Sequence, residues 1–352
     1  MTLAPLTRTR RVIVCCGSGG VGKTTTAAVL AMEGARQGRR AVVVTIDPAK
    51  RLADALGLHS LSNTPTRIEG DWPGELKYAP SKTQAEGILR NRFYRNISAA
   101  LSGTQEYMAM EKLYELHEEG GFELVIVDTP PTRNALDFID APRRLTRFLD
   151  NRIFRWLMMP TRAYLKAVNV ATRTLLRTIS RVVGAEVVQD AVAFFQAFEG
   201  MEEGFRQRAE RVLHLLSDPA TAFLLVTTPR ADALEEGRFF AAKLEEAGIP
   251  VEALVVNRMH PRFARIGAGT LRERAADHAG SDLAGLYENL ADFTQLVEVE
   301  EANVAELSER VRPAPLVRVP FLPSDVHDLE GLSELGKYLF DGGGEPAPVP
   351  GS

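Results

Sequence analysis

Short runs of β-branched and apolar residues recur along the chain at 12–16, 40–46, 124–128, 222–228, 253–257 and 316–319, separated by stretches of mixed polarity. The runs do not alternate apolar with polar, so they read as strands covered on both faces, the habit of a parallel sheet. Between most of them lie segments of helical periodicity, including 24–37 and 231–247. Strands and helices in alternation predict a doubly wound, mostly parallel α/β sheet. Ligands in such sheets bind beyond the carboxyl ends of the strands, so chemistry is expected where these runs stop.

One segment breaks the alternation. Residues 143–181 carry nine arginines and one lysine against a single acid, Asp150, and interleave Phe148, Ile153, Phe154, Trp156, Met158, Met159 and Tyr164. A stretch both basic and apolar predicts a helical insertion over 141–205 within a core made of 1–140 and 206–341. Its arginines either form solvated faces of helices packed on the core or present a surface to a partner helix, a membrane-protein client or an anionic membrane. Residues 342–352, rich in Gly and Pro, read as a disordered tail.

Composition narrows the class. The chain has 352 residues, enough for one large domain with an insertion, and a net charge of −4. Its two cysteines, adjacent at Cys15 and Cys16, make no disulfide framework and fall in a strand, where they read as small buried hydrophobes. The start lacks the apolar segment of a signal peptide, and no run approaches the length of a membrane-spanning helix, so a soluble cytoplasmic protein is expected. The six histidines are scattered, and neither H-E-x-x-H nor C-x-x-C occurs, so no zinc is expected.

The sharpest signal follows the first strand. Gly17-Ser18-Gly19-Gly20-Val21-Gly22-Lys23-Thr24-Thr25 has the G-x-x-x-x-G-K-T spacing of a phosphate-binding loop. Backbone N–H groups there wrap a triphosphate, Lys23 reaches its outer phosphates, Thr24 offers a hydroxyl to Mg²⁺, and the following helix aims its positive end at the anion. At the end of the third run stands Asp128, placed to hold Mg²⁺ through a water, and Thr129-Pro130-Pro131-Thr132 after it would sense the γ phosphate. After the second run comes Thr45-Ile46-Asp47-Pro48-Ala49; Asp47 either orients the attacking water or caps the next helix ahead of Pro48.

These motifs resemble the P-loop ATPases that include the arsenite-pump ATPase ArsA and the guided-entry ATPases for tail-anchored membrane proteins, with MinD and ParA as wider kin. The resemblance implies a Mg²⁺-dependent ATPase that closes as a dimer, with Asp47 as the water-orienting catalytic residue of the D-P-A spelling. It implies that Asn257, ending the fifth run, reads adenine, and that Pro320 and Phe321 belong to the loop covering the base; a turn-forming asparagine is the plainer reading of Asn257. The family places a lysine where this chain has Ser18, and that lysine crosses to the partner's phosphates. Its absence points to slow turnover by a homodimer, and to a heterodimer with a lysine-bearing homologue, as in the paired ArsA-like ATPases of actinobacteria that this chain resembles. A nucleotide-gated binding module with little hydrolysis is one alternative; a ParA- or MinD-like partitioning ATPase is another, with nucleic acid disfavoured as a partner. The family also places a glutamate where Arg230 stands, which reverses a charge near the nucleotide.

Overall fold

The structure is a computed structural model that describes residues 2–45, 56, 65–80, 112–129 and 202–342. Asp47, the segment from Pro130 to Thr132, the basic segment 143–181 and the tail from 343 onward lie outside the described residues. The chain divides into two compact units, one of Met1–Pro80, Gly120–Leu136 and Pro219–Ser352, the other of Ser81–Glu119 and Asp137–Asp218.

The first unit is built on one eight-stranded sheet. Its strands are β1 (Val12–Cys16), β2 (Arg40–Thr45), β3 (Thr66–Arg67), β4 (Glu75–Pro80), β5 (Leu124–Asp128), β6 (Thr221–Thr227), β7 (Val251–Met259) and β8 (Leu316–Pro320). Their order across the sheet is β3-β4-β2-β5-β1-β6-β7-β8. All neighbours run parallel except β3 against β4. The doubly wound, mostly parallel α/β expectation therefore holds. β1 and β5 are buried at every position, as their unbroken β-branched runs require of strands covered on both faces.

Two strands escaped the sequence pattern. β4 carries Leu76 and Tyr78 inward but spells Glu-Leu-Lys-Tyr-Ala-Pro, and β3 is two residues long. Alternation at a sheet's flank gives a weaker signal than the continuous apolar runs at its centre.

The helices described in this unit are α1 (Ala4–Thr9), α2 (Lys23–Arg36), α4 (Ala231–Glu246), α5 (Ala268–Asp277), α6 (Asp282–Arg310) and α7 (Leu329–Phe340); α3 (Glu202–Ser217) belongs to the second unit. α2 packs an alanine-rich face, Ala27, Ala28, Ala31 and Ala35 with Leu30 and Met32, into the core beside β1, β2 and β5. Each large apolar side chain so buried contributes about 1.5–3 kcal/mol. α5 and the 29-residue α6 form a helical pair in the chain between β7 and β8. In the second unit, Arg211 on α3 donates to the Tyr114 hydroxyl at 2.6 Å. Among the described residues no helix is long and apolar enough to cross a membrane.

Candidate functional site

β1 lies between β5 and β6, and the chain leaves its carboxyl end as the loop Gly17–Gly22. Gly17 has φ 152, and a Cβ there would stand 2.0 Å from the Val226 carbonyl oxygen, so the loop leans on β6 with no room for a side chain. Gly22 has φ 97 and immediately precedes α2; its Cβ would stand 2.3 Å from Asn257 Nδ2. α2 opens at Lys23, one residue earlier than its periodicity predicts, with no side-chain cap and no acid in its first turn. Such a helix start keeps its backbone donors for an anion, where the helix dipole adds positive potential.

Side chains converge on the carboxyl ends of the central strands. Lys23 is buried, and its Nζ donates to the Ser18 carbonyl at 2.7 Å. Thr24 Oγ1 donates to Asp128 Oδ2 at 2.8 Å, and Thr45 Oγ1 donates to the same oxygen at 3.1 Å. Register explains the meeting: Asp128 stands opposite Cys15 of β1 and opposite Thr45 of β2. Thr129 Oγ1 donates to the Cys15 carbonyl at 2.7 Å, tying the start of the segment after β5 to the first strand.

Burial dominates the electrostatics around this point. It pushes the Cys16 thiol up to about 12 and the Cys15 thiol well above its ordinary value, with the Asp128 charge as a second cause at Cys15. Burial, and then Asp128, raise the Tyr78 phenol to about 12. Both cysteines therefore stay protonated near neutrality, and neither offers a thiolate.

The donors around Asp128 suit Mg²⁺. That ion takes oxygen ligands, accepts one or two carboxylates, and completes its shell with phosphate oxygens and water. The Thr24 hydroxyl and Asp128 carboxylate, in contact at the mouth of the loop, are residues that could hold it. Among the described residues no group of three or more His, Cys, Asp or Glu stands together to hold a metal. Ser18 is buried, and its hydroxyl has no hydrogen-bond partner among the described residues.

Beside the loop opens a cleft of about 510 Å³, lined among others by Ser18, Val21, Arg230, Arg258, His260 and Phe321. Its far wall comes from an irregularity in β7, whose register with β8 shifts between Val256 and Met259. Asn257 sits in that shift. Its Nδ2 donates to the Val21 carbonyl at 3.0 Å, and its Oδ1 accepts from Arg258 N at 2.9 Å, so the amide ties β7 to the phosphate loop. Arg258 has φ 59, a left-handed backbone that non-glycine residues adopt rarely. Bulges of this kind re-aim side chains and occur often beside functional sites.

Pro320 ends β8 opposite Met259, and Phe321 N donates to the Met259 carbonyl at 2.8 Å. The Phe321 ring is 59% exposed and stacks on His260, centroids 6.0 Å apart at 15°. His260 is held in turn by Glu300 of α6, whose carboxylate accepts from His260 N at 2.9 Å and meets Nδ1 at 2.7 Å. Arg230 forks onto Asp232 at 2.9 and 3.1 Å in the open.

The residues singled out from sequence thus fall in two groups. Gly17 to Thr25 and Asp128 meet at the mouth of the loop, while Phe321 lines the neighbouring cleft and Asn257 and Pro320 precede its lining residues Arg258 and Phe321 in the chain. Asp47 is outside the described residues. Thr45, His260 and Glu300 were not singled out for the site. Thr45 could have been found from its place at the end of a central strand; nothing local marks the other two.

Known proteins resemble the chain over most of its length. The family profile described as "Anion-transporting ATPase" matches residues 10–278. "Putative arsenical pump-driving ATPase 1" of Aquifex aeolicus is 23% identical over 359 residues, covering 96% of this chain and 80% of that protein. "ATPase GET3" of Malassezia globosa is 24% identical over 342 residues, covering 93% of this chain and 90% of the relative.

Proposed function

The chain belongs to the anion-transporting ATPase family, and on that premise we propose that it binds ATP at Gly17–Thr25, hydrolyses it with Mg²⁺, and couples dimer closure to a client or membrane-protein partner. The observation that carries this reading is the convergence of Lys23, Thr24 and Asp128 where β1 and β5 end. In the reading, backbone amides of the loop and α2 bind the phosphates, and Lys23 exchanges the Ser18 carbonyl for phosphate oxygens. Thr24 and, through a water, Asp128 would hold Mg²⁺, which would supply positive charge to the outer phosphates. Asp47 orients the attacking water, and Asn257, Pro320 and Phe321 take the adenosine end.

Ser18 shapes the rest of the proposal. It carries no charge to lend a partner's nucleotide, so a homodimer is a slow ATPase, and the efficient form pairs this chain with a lysine-bearing homologue. Loss of a cation acting across an interface costs about 10³- to 10⁵-fold in related phosphoryl transfer. The insertion 141–205 is the proposed client or membrane surface, on a cytoplasmic protein whose contact with membranes is peripheral. Arsenite is not the proposed cargo through cysteine, because both thiols of the chain are buried and protonated.

Steady-state ATP turnover of the purified chain over a range of concentrations, with Asp47→Asn as background, tests the reading. Tight binding with little turnover, restored by a lysine-bearing homologue, is the expected result. Rapid turnover rising with concentration in the chain alone sinks the paired-subunit proposal, and failure to bind ATP sinks the nucleotide reading itself.

A further inference from the structure

We propose that Glu300 and His260 form a clamp that positions Phe321 as a platform for the nucleoside end of the bound nucleotide. The inference rests on the nucleotide-binding reading above and deepens it. It assigns a role to two residues that lie 40 positions apart in sequence and belong to none of the motifs.

The argument begins with Phe321. An aromatic ring left 59% exposed has no packing of its own to hold it, yet this one lines the cleft beside the phosphate loop. Two contacts fix it: its backbone N–H bonds the Met259 carbonyl, and its ring lies nearly parallel to His260. His260 is in turn gripped at two atoms by one carboxylate. Glu300 accepts from the backbone N–H at 2.9 Å and meets the ring Nδ1 at 2.7 Å, which fixes the ring plane. Glu300 is itself buried, on the part of α6 where Val297, Val304 and Leu307 are buried too, so the grip is anchored in packed structure.

The irregularity in β7 makes the arrangement possible. By shifting register between Val256 and Met259, it turns Asn257 onto Val21 of the phosphate loop and brings His260 to α6. Arg258 holds a left-handed backbone between them. A conformation of that kind persists where the surroundings over-determine it, and such conformations cluster at ligand sites. The loop that binds phosphate and the stacked pair are therefore tied to the same stretch of one strand. Bases bind aromatic faces by stacking whatever their hydrogen-bond pattern, so the platform contributes affinity for the nucleoside and leaves the phosphates to the loop.

The test separates the two ends of the ligand. Dissociation constants of Mg·ATP and of Mg·tripolyphosphate, which lacks a nucleoside, are measured by competition against a fluorescent ATP analogue for the parent chain, His260→Ala and Glu300→Gln. His260→Ala should weaken ATP about tenfold, the scale of one stacking contact, and leave tripolyphosphate within twofold. Glu300→Gln, which keeps the side-chain volume and serves should His260→Ala misfold, should weaken ATP about threefold with the same indifference to tripolyphosphate. Equal losses for both ligands, or unchanged ATP affinity in both variants, overturn the clamp. A parent chain that binds neither ligand overturns the nucleotide reading, and the clamp falls with it.

Discussion

Replacing Gly22 by alanine puts one methyl group at the joint between the phosphate loop and β7, and its cost can be worked out from two contacts. The backbone at Gly22 has φ 97, which an L-residue adopts at a cost of about 1–2 kcal/mol. The new Cβ would lie 2.3 Å from Asn257 Nδ2, too close to coexist, so the amide moves and its 3.0 Å bond to the Val21 carbonyl is lost. A hydrogen bond of this kind contributes about 0.5–1.5 kcal/mol. Gly22→Ala should therefore destabilise the protein by about 2.5 kcal/mol, and Asn257→Ala, which deletes that bond together with the one its Oδ1 accepts from Arg258 N but adds no strain, by about 2 kcal/mol. Because the first change already breaks the Val21 bond that the second removes, the double variant should lose about 1 kcal/mol less than the sum of the two single losses. That is a coupling of about 1 kcal/mol between the two sites. Urea denaturation of the four proteins, with the transition slope checked for constancy, supplies the cycle. Losses that simply add to within about 0.4 kcal/mol would show that Asn257 and Gly22 are energetically independent and refute the joint.

Thr45→Val keeps the side-chain shape and deletes one of the two hydroxyls on Asp128 Oδ2; stability should fall by about 1 kcal/mol, and ATP turnover should require several-fold more Mg²⁺, read from a Mg²⁺ titration. Alkaline stability should follow the buried thiols. An acid whose pKa is higher in the fold than in the unfolded chain holds its proton only in the fold, so its contribution is complete below the ordinary 9.0 and is lost as pH rises toward the folded value. Cys16 alone, raised to about 12, should cost about 1.4 kcal/mol between pH 8 and pH 10, and denaturation midpoints of Cys16→Ala should lack that component. Thiol reagents at pH 8 should label neither cysteine in the native protein and both in 6–8 M urea, as mass spectrometry would report; rapid native labelling would contradict their burial.

How much was legible in the sequence depended on whether the signal was local. β1 and β5 have the limits their apolar runs predicted, because strands buried on both faces need no partner's polarity to be recognised. β7 runs from Val251 to Met259, two residues longer at each end than the run at 253–257, because the ladder resumes at Met259 beyond the irregularity. β4 was missed because Glu75 and Lys77 interrupt its apolar pattern. The phosphate loop was readable because its chemistry demands glycines at fixed spacing around Lys23 and Thr24. That Thr24 and Thr45 meet on one oxygen of Asp128 is a fact of register between β2 and β5, which no local pattern encodes. The grip of Glu300 on His260 is more distant still, depending on where α6 crosses the end of β7.

The strand order also has a consequence for synthesis. β1, the strand that delivers the phosphate loop, pairs with β5 and β6, whose partners to Val12 are Val125 and Thr221. At about 5–20 residues per second on the ribosome, the apolar stretch Val-Ile-Val-Cys-Cys waits some ten seconds or more for its second neighbour to be made. During that time the edge that will meet β6 is an unpaired template for other strands. Polypeptides released before Thr221 would carry the complete phosphate-loop motif yet lack the β6 edge against which Gly17 closes. Capture of the phosphates thus becomes a property of chains extended past β6, and products terminated before it would be marked by exposed hydrophobic segments for chaperones and proteases.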